Sequence, residues 1–379
     1  MSIYDEIGVR PVINAAGTLT RLGGSLMPPE VVAAMASAAQ RFVDMDELHL
    51  AAGRLIASLI GVEAAHVCGS ATAGIALMAA ACMTGTDRAR IAQLPETAGL
   101  KHRFLVQPAH RNPYDRALLL SGGRLADVAP DPDALASAID EHTAGVYCTF
   151  AWFCTQPALS LPQVAEIAHA AGVPVIVDAA AEVPPVSNLT RYTAEGADLV
   201  VFSGGKALRG PQASGLILGR ADLIEACRLN DCPYDALGRA MKTDKESIAG
   251  LVKAVELYVG ADHRAEMAEW ERRVGVIIDA VRDVPGVRAW RQMPYGTGQL
   301  IPHAAISWDE QAVPLTHAEA ARILLEGEPR IAVQLITVER YGFGGMTQTE
   351  LRAHPHTLEP GEAEIVAGAL RGLLTAVRG

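Results

Sequence analysis

Short apolar runs rich in β-branched residues alternate along the first two thirds of the chain with longer stretches in which apolar positions recur every three or four residues. Runs of the first kind read as buried strands and the others as amphipathic helices. The strands are expected at 66–68, 104–107, 125–128, 146–150, 175–177, 199–202 and 215–218, with a short one at 12–14 in an irregular N-terminal arm. Pro28 and Pro29 open a helix to about Phe42, since proline is tolerated in a first turn, and Asp44 or Asp46 caps the next one, near 46–60. A helix of small residues follows 66–68 to about Met83, and another lies near 133–141. One that starts after Pro162 stops at Ala171, with Gly172 and Pro174 just beyond. That rhythm predicts a parallel sheet wrapped by helices. After Asp231 the pattern changes to a long helical region ending near Arg282, then strand-like runs at 303–308 and 331–334 and a terminal helix opening at Pro360-Gly361-Glu362. These read as a small α+β domain. The expected division is an N-terminal arm and part of the small domain over 1–45, a large α/β domain over 46–255 and the small C-terminal domain over 256–379.

Two strands end in reactive side chains. Asp178 closes V-I-V-D, and Lys206 follows the 199–202 strand in the turn Ser203-Gly204-Gly205. Ligands of open α/β sheets bind beyond the carboxyl ends of strands, so both groups face one crevice. Pyridoxal 5'-phosphate chemistry needs this pair: a lysine for the Schiff base and a carboxylate that keeps the pyridine nitrogen protonated. The turn Gly69-Ser70-Ala71-Thr72-Ala73-Gly74 at a helix start offers free N–H groups and hydroxyls to a phosphate; a plain capped helix is the alternative reading. His110, in the loop after 104–107, is the candidate to stack on the pyridine, against the alternative of a hydrogen-bonded structural histidine. Arg21, with Asn14 and Thr18, is placed at a pocket mouth or on a packed surface arm. Arg209 is a further cation for the substrate. Arg239, Lys242 and Lys245 are spaced by threes, which a helix would place on one side as an anion clamp or a solvated face.

Composition narrows the classes. The 379 residues can bury a large core, and 50% hydrophobic with 20% charged residues is a globular balance. A formal charge of −11 argues against a nucleic-acid surface, which needs excess Lys and Arg. The six cysteines show no C-x-x-C and no zinc spacing, and His354-Pro355-His356 lacks the helical spacing of a metal pair, so no metal site is expected. With neither a signal sequence nor a membrane-length apolar run, a cytoplasmic enzyme acting on a small molecule is expected.

The segments V-I-N-A-A-G-T-L-T-R-L-G-G-S, S-A-T-A-G, H-R-N-P-Y-D, V-D-A-A-A-E-V-P-P, S-G-G-K-A-L-R-G-P-Q and G-R-A-M-K-T-D-K-E together resemble the D-glucosaminate-6-phosphate ammonia-lyase group. That group is related to bacterial selenocysteine synthase among the fold-type I pyridoxal phosphate enzymes. The resemblance implies a large domain with a mostly parallel seven-stranded sheet and a small domain made by both termini. It also implies a homodimer or larger homo-oligomer. In it Lys206 is the Schiff-base lysine, Asp178 the pyridinium partner, Ser70, Ala71 and Thr72 hold the phosphate, and Ser203 assists. The reaction it suggests is α,β-elimination from a β-hydroxy, D-configured or sugar-derived, amino acid to a 2-keto acid and ammonia. A racemase, an aldolase, a transaminase and a non-catalytic binding protein remain open on the same scaffold. The shared core starts near residue 11, leaving no room for a tRNA-binding region. Cys68 before the phosphate turn and Tyr341-Gly342-Phe343-Gly344-Gly345 depart from the group's pattern.

Overall fold

The computed structural model describes residues 2–154, 157–294, 298–339 and 347–376. Its strands are β1 (Ile13–Ala15), β2 (Ala64–Cys68), β3 (Arg103–Val106), β4 (Arg124–Asp127), β5 (Thr143–Thr149), β6 (Val175–Asp178), β7 (Leu199–Ser203), β8 (Gly215–Gly219), β9 (Val287–Gln292), β10 (His303–Trp308), β11 (Ile331–Glu339) and β12 (Thr347–Ala353). The chain divides into two compact units. The larger is Ser25–Ala261 with Tyr295–Leu300, and the smaller is Met1–Gly24, Asp262–Pro294 and Ile301–Gly379. The divisions fall after 24 and 261, where 45 and 255 were expected. The helix Pro29–Ala39 goes with the larger unit because its Met35 packs around Gly250 of the helix Lys245–Val259.

The larger unit holds a seven-stranded sheet in the order β2-β8-β7-β6-β5-β3-β4. β7, β6, β5, β3 and β4 run parallel, while β8 is antiparallel to both its neighbours. The inner strands are buried on both faces, as continuous apolar runs require. On one face lies the helix Ala71–Thr84, almost wholly buried and made largely of Ala. Small residues let it lie close to the sheet: a Cβ on Gly74 would stand 2.6 Å from Val201 Cγ2. The opposite face packs against Leu161–Ala170, Met45–Ile60 and Lys245–Val259 through Val164, Ile56 and Leu251.

Several helices end earlier than their apolar pattern suggests. Pro29–Ala39 stops before Phe42, and Pro132–Ala138 before 141. The expected long helix to Arg282 is two, Lys245–Val259 and His263–Val281. Gly260 ends the first, and the Asp262 carboxylate caps the second by accepting from the Arg264 and Ala265 amides.

The smaller unit is an α+β layer built from both termini. Its sheet has the order β1-β11-β12-β10-β9, antiparallel except for β1 beside β11. The helices His263–Val281 and Glu362–Ala376 bury Ile277, Val281, Val366 and Leu370 against it.

Candidate active site

The parallel strands deliver their carboxyl ends to one edge of the sheet. Asp178 is the last residue of β6, and Ser203 the last of β7. The strands are neighbours, with Asp178 in register with Val201. The chain turns after β7 through Gly204 and Gly205 to Lys206. These glycines are required by crowding: a Cβ on Gly204 would stand 2.0 Å from Ser214 Oγ, and one on Gly205 2.5 Å from Gln212 Cα. The Gly204 amide donates to Ser214 O at 2.9 Å, and Gly205 O accepts from the Ser25 amide at 3.1 Å. Lys206 therefore leaves a turn fixed on both sides.

Asp178 is 5% exposed, and its Oδ1 accepts from the Ala180 amide at 3.0 Å. Burial raises its carboxyl above the usual range, opposed by that amide and by the charge of Lys206. Burial lowers the Lys206 amine, while Asp178 and Glu182 pull it back up. Burial thus disfavours the charge on each group, while the opposite charge of the other favours it.

The phosphate-turn residues lie at the start of Ala71–Thr84, after β2. Ser70 is its cap and accepts from the Ala73 amide at 3.0 Å. Beside it is a cavity of about 380 Å³ lined by Gly69, Ser70, Thr72, Met241 and Lys242, among others. Ala71 is buried and Thr72 faces out. Gly215, paired with Ser203 across β7 and β8, presses on this turn, and its Cβ would come within 2.4 Å of the Ser70 carbonyl carbon. Gly215→Ala is expected to cost about 1–3 kcal/mol, because only main chain is there to yield. It should also weaken phosphate-group binding by shifting Ser70, read as a lower denaturant midpoint and a raised cofactor dissociation constant.

His110 ends a short turn after β3, with its Nδ1 2.7 Å from Thr149 O and its ring edge-on to Phe150. Burial lowers its pKa, and its Nε2 has no partner. Arg209 is exposed at φ +53°, and its Nε donates to Leu26 O at 2.9 Å. Arg21 sits on an exposed turn of the smaller unit. Arg239, Lys242 and Lys245 do not share a helix face, contrary to their spacing. Arg239 is in the turn Leu237–Met241, Lys242 follows it, and Lys245 starts the next helix. Lys245 is engaged by Glu246 and by Ala38 O, so Arg239 and Lys242 are the exposed members. The segment Tyr341–Gly345 lies outside the described residues.

Glu182 is a further buried acid beside the pair that no motif or spacing in the sequence marks. It is 2% exposed and accepts from Tyr192 Oη at 2.9 Å and from the Gly298 amide at 2.7 Å. Burial, opposed by those donors, pushes its carboxyl up to about 7. The available signal was a lone acid in the small and apolar run A-A-A-E-V-P-P. Because the folded chain holds this proton up to about pH 7 and an ordinary carboxyl loses it near 4.5, the folded state binds more protons between those values. Stability from this group is then present below about pH 4.5 and falls as pH rises to about 7, by about 3 kcal/mol in all. Urea midpoints at both ends of that window should show the loss in the wild type and not in Glu182→Gln.

Pyridoxal phosphate fits these residues on structural grounds. The glycines at 204 and 205 let the turn before Lys206 pack directly on Ser214 and Gln212. Two buried polar atoms, His110 Nε2 and Thr243 Oγ1, have no protein partner. The Thr243 hydroxyl lies beside Gly69 of the phosphate turn.

Comparison with known proteins supports the fold and the cofactor. A solved structure of D-glucosaminate-6-phosphate ammonia-lyase superposes with a TM-score of 0.84 over the whole of both chains at 31% identity. Serine palmitoyltransferase of Sphingomonas wittichii shares the fold at a TM-score of 0.60 and 14% identity, over 97% of this chain and 88% of that one. Fold and cofactor chemistry together define a fold-type I pyridoxal phosphate enzyme. Residues 150–272 match the family model for SelA, L-seryl-tRNA selenium transferase. D-glucosaminate-6-phosphate ammonia lyase of Salmonella typhimurium is 36% identical over 76% of this chain and 77% of its own. A 5'-C-glycyluridine monooxygenase-decarboxylase of Streptomyces sp. is 34% identical over 98% and 92%. The chain belongs to the D-glucosaminate-6-phosphate ammonia-lyase and selenocysteine synthase-like family. Among the described residues no helix is long and apolar enough to cross a membrane.

Proposed function

We propose that this chain is an ammonia-lyase that converts a β-hydroxy, sugar-derived amino acid to a 2-keto acid and ammonia. The observation that carries the reading is Asp178, buried at the end of β6, with Lys206 in the turn just past β7, in a chain 36% identical to a D-glucosaminate-6-phosphate ammonia lyase. Bound pyridoxal phosphate supplies the electron sink that makes the substrate α-proton acidic. Lys206 would hold its aldehyde carbon, Asp178 its ring nitrogen, His110 its ring face, and Ser70, Ala71, Thr72 and Ser203 its phosphate. Lys206, whose amine burial lowers, would take the α-proton. Asp178 would sustain a positive charge on the ring nitrogen. The β-hydroxyl leaves as water, and a second water releases the nitrogen as ammonia, so no oxidant is consumed. The exposed cations Arg209, Arg239 and Lys242 are suited to the substrate carboxylate or a distal phosphate, Arg by a bidentate grip; Arg21 and Lys245 are weaker candidates.

The name of the Streptomyces relative favours a second reading: loss of the carboxylate with consumption of O₂. Loaded enzyme should be challenged with D- and L-β-hydroxy amino acids and aminated sugar acids, scoring ammonia, keto acid, CO₂ and O₂ uptake. Ammonia and keto acid in equal amounts without O₂ uptake is the expected result. CO₂ release with O₂ uptake selects the second reading, and loss of optical activity alone a racemase.

We place the working form in the cytoplasm as a homo-oligomer. All six thiols are unpaired, and the helices Pro29–Ala39 and Met45–Ile60 with their link expose Val32, Phe42, Val43 and Leu55, Phe42 completely.

A further inference from the structure

Glu182 stands four residues beyond Asp178, and the reaction above gives it no part. Its buried carboxyl is fixed at both oxygens. Tyr192 Oη donates to Oε2 at 2.9 Å, and the Gly298 amide to Oε1 at 2.7 Å. Each donor is itself held. The Tyr192 ring stacks on Phe150 at 5.2 Å and 30°, and Phe150, just past β5, donates its amide to Asp178 O at 2.9 Å. Gly298 lies against Trp152, whose Cβ would stand 2.9 Å from a Cβ on the glycine. The next two residues are tied to the chain beside Glu182: Gln299 Nε2 donates to Val183 O at 2.9 Å, and the Leu300 amide to Pro184 O at 3.1 Å. Two donors, one on each oxygen, suit an ionised carboxylate, which accepts and needs no proton to complete its bonding. The arrangement is a negative charge set in a fixed, buried position.

Charge balance gives that position a purpose. Among the described residues, the charges that Lys206 feels are those of Asp178 and Glu182. With cofactor bound, Asp178 is committed to the ring nitrogen, and its charge is met there. When Lys206 takes the α-proton, the C–H electron pair passes to the cofactor and Nζ becomes a buried ammonium, which burial disfavours. Glu182 is then the opposite charge left to answer it. The other titratable groups around Glu182 do not take that role. Burial, with the charges of Glu182 and Asp178, raises the Cys154 thiol to about 11, so it stays neutral. Burial and Glu182 raise the Tyr192 hydroxyl above its ordinary range, so it stays a donor. Arg191, whose charge also reaches Glu182, is exposed and paired with Glu195 at 2.7 Å.

We propose that Glu182 is a positioning residue for the lyase step, acting through Lys206 as the fixed counter-charge to the proton that this amine takes up. The proposal rests on the role given to Lys206 above. Its test compares cofactor-loaded wild type, Glu182→Gln and Tyr192→Phe. Glutamine keeps an acceptor for the Gly298 amide and removes the charge, while phenylalanine keeps the charge and removes one donor. The first readout is the pH at which the visible absorbance of the lysine-linked cofactor titrates. A negative neighbour favours the protonated nitrogen, so Glu182→Gln should lower that midpoint by about one pH unit. The second is steady-state turnover: the same variant should lower kcat about tenfold, with KM within about twofold of wild type. Tyr192→Phe makes Glu182 harder to ionise and should move the midpoint the same way by less. A role in structure alone predicts weaker cofactor binding with an unmoved midpoint, and that result overturns the proposal, as does a raised midpoint. Should Glu182→Gln fold poorly, an unmoved midpoint in Tyr192→Phe overturns it by itself. Lys206→Ala separates the proposal from the reading beneath it. If that variant keeps the absorbance, the role of Lys206 falls and the proposal with it. Loss of the absorbance there, with an unmoved midpoint in Glu182→Gln, overturns the proposal alone.

Discussion

Replacing Lys206 by Ala is expected to abolish turnover, with a loss of at least about 10⁴-fold, the upper end for a positioned proton-transfer group. It should also remove the visible absorbance that a lysine-linked cofactor gives the wild type. The two effects have one physical origin. The amine leaves a turn held by the Gly204 amide on Ser214 O and by the Ser25 amide on Gly205 O, so the substitution removes the amine and leaves the turn in place. Burial and the opposing charges of Asp178 and Glu182 set its ionisation. A free amine added to the buffer restores part of the turnover if the loss is chemical, because the site keeps its shape. Persistence of the wild-type absorbance in Lys206→Ala would sink the assignment of this residue.

Much of this frame could be read from the chain before folding. Each inner strand is a short apolar run between turn-forming residues, and the Asp and Lys stand where those runs end. The reversed direction of β8 was not legible, since Gly-Leu-Ile-Leu-Gly is as apolar as its parallel neighbours and carries no mark of direction. The helix break at Gly260-Ala261-Asp262 carried a stop and a cap, yet periodicity on either side concealed it. The basic triplet misled because spacing by threes matters only inside one helix, and Asp244 caps a new helix between Lys242 and Lys245. Glu182 owes its character to burial and to partners along the chain, Tyr192 and Gly298, which no local pattern states.

The connection between core and cradle predicts the other large effect. His66 on β2 and Asp231 are both almost fully buried, with His66 Nε2 2.9 Å from Asp231 Oδ2. His49 stacks on His66 at 5.0 Å, and burial together with His66 lowers its pKa to about 3, so it does not protonate to serve as a substitute partner. Asp231 Oδ1 accepts from the Cys232 amide at 2.7 Å. His66→Ala therefore leaves a buried carboxylate held by one amide, and a loss of about 3–5 kcal/mol is expected in urea unfolding. Adding Asp231→Asn removes the charge while keeping an acceptor for Cys232, so the double variant should recover part of the loss, which a simple packing defect would not allow. The consequence reaches the phosphate turn. Gly238 packs against Asn230 O and Asp231 Cα, each within 2.6 Å of its would-be Cβ, and Met241 O stands 2.5 Å from that of Gly69. The segment Leu237–Met241 is thus wedged between the His66–Asp231 pair and the cavity wall formed by Met241 and Lys242. His66→Ala should raise the cofactor dissociation constant as well as lower stability, and Asp231→Asn should recover both together. Recovery of stability alone would show that the wedge does not transmit the pair's position to the cradle.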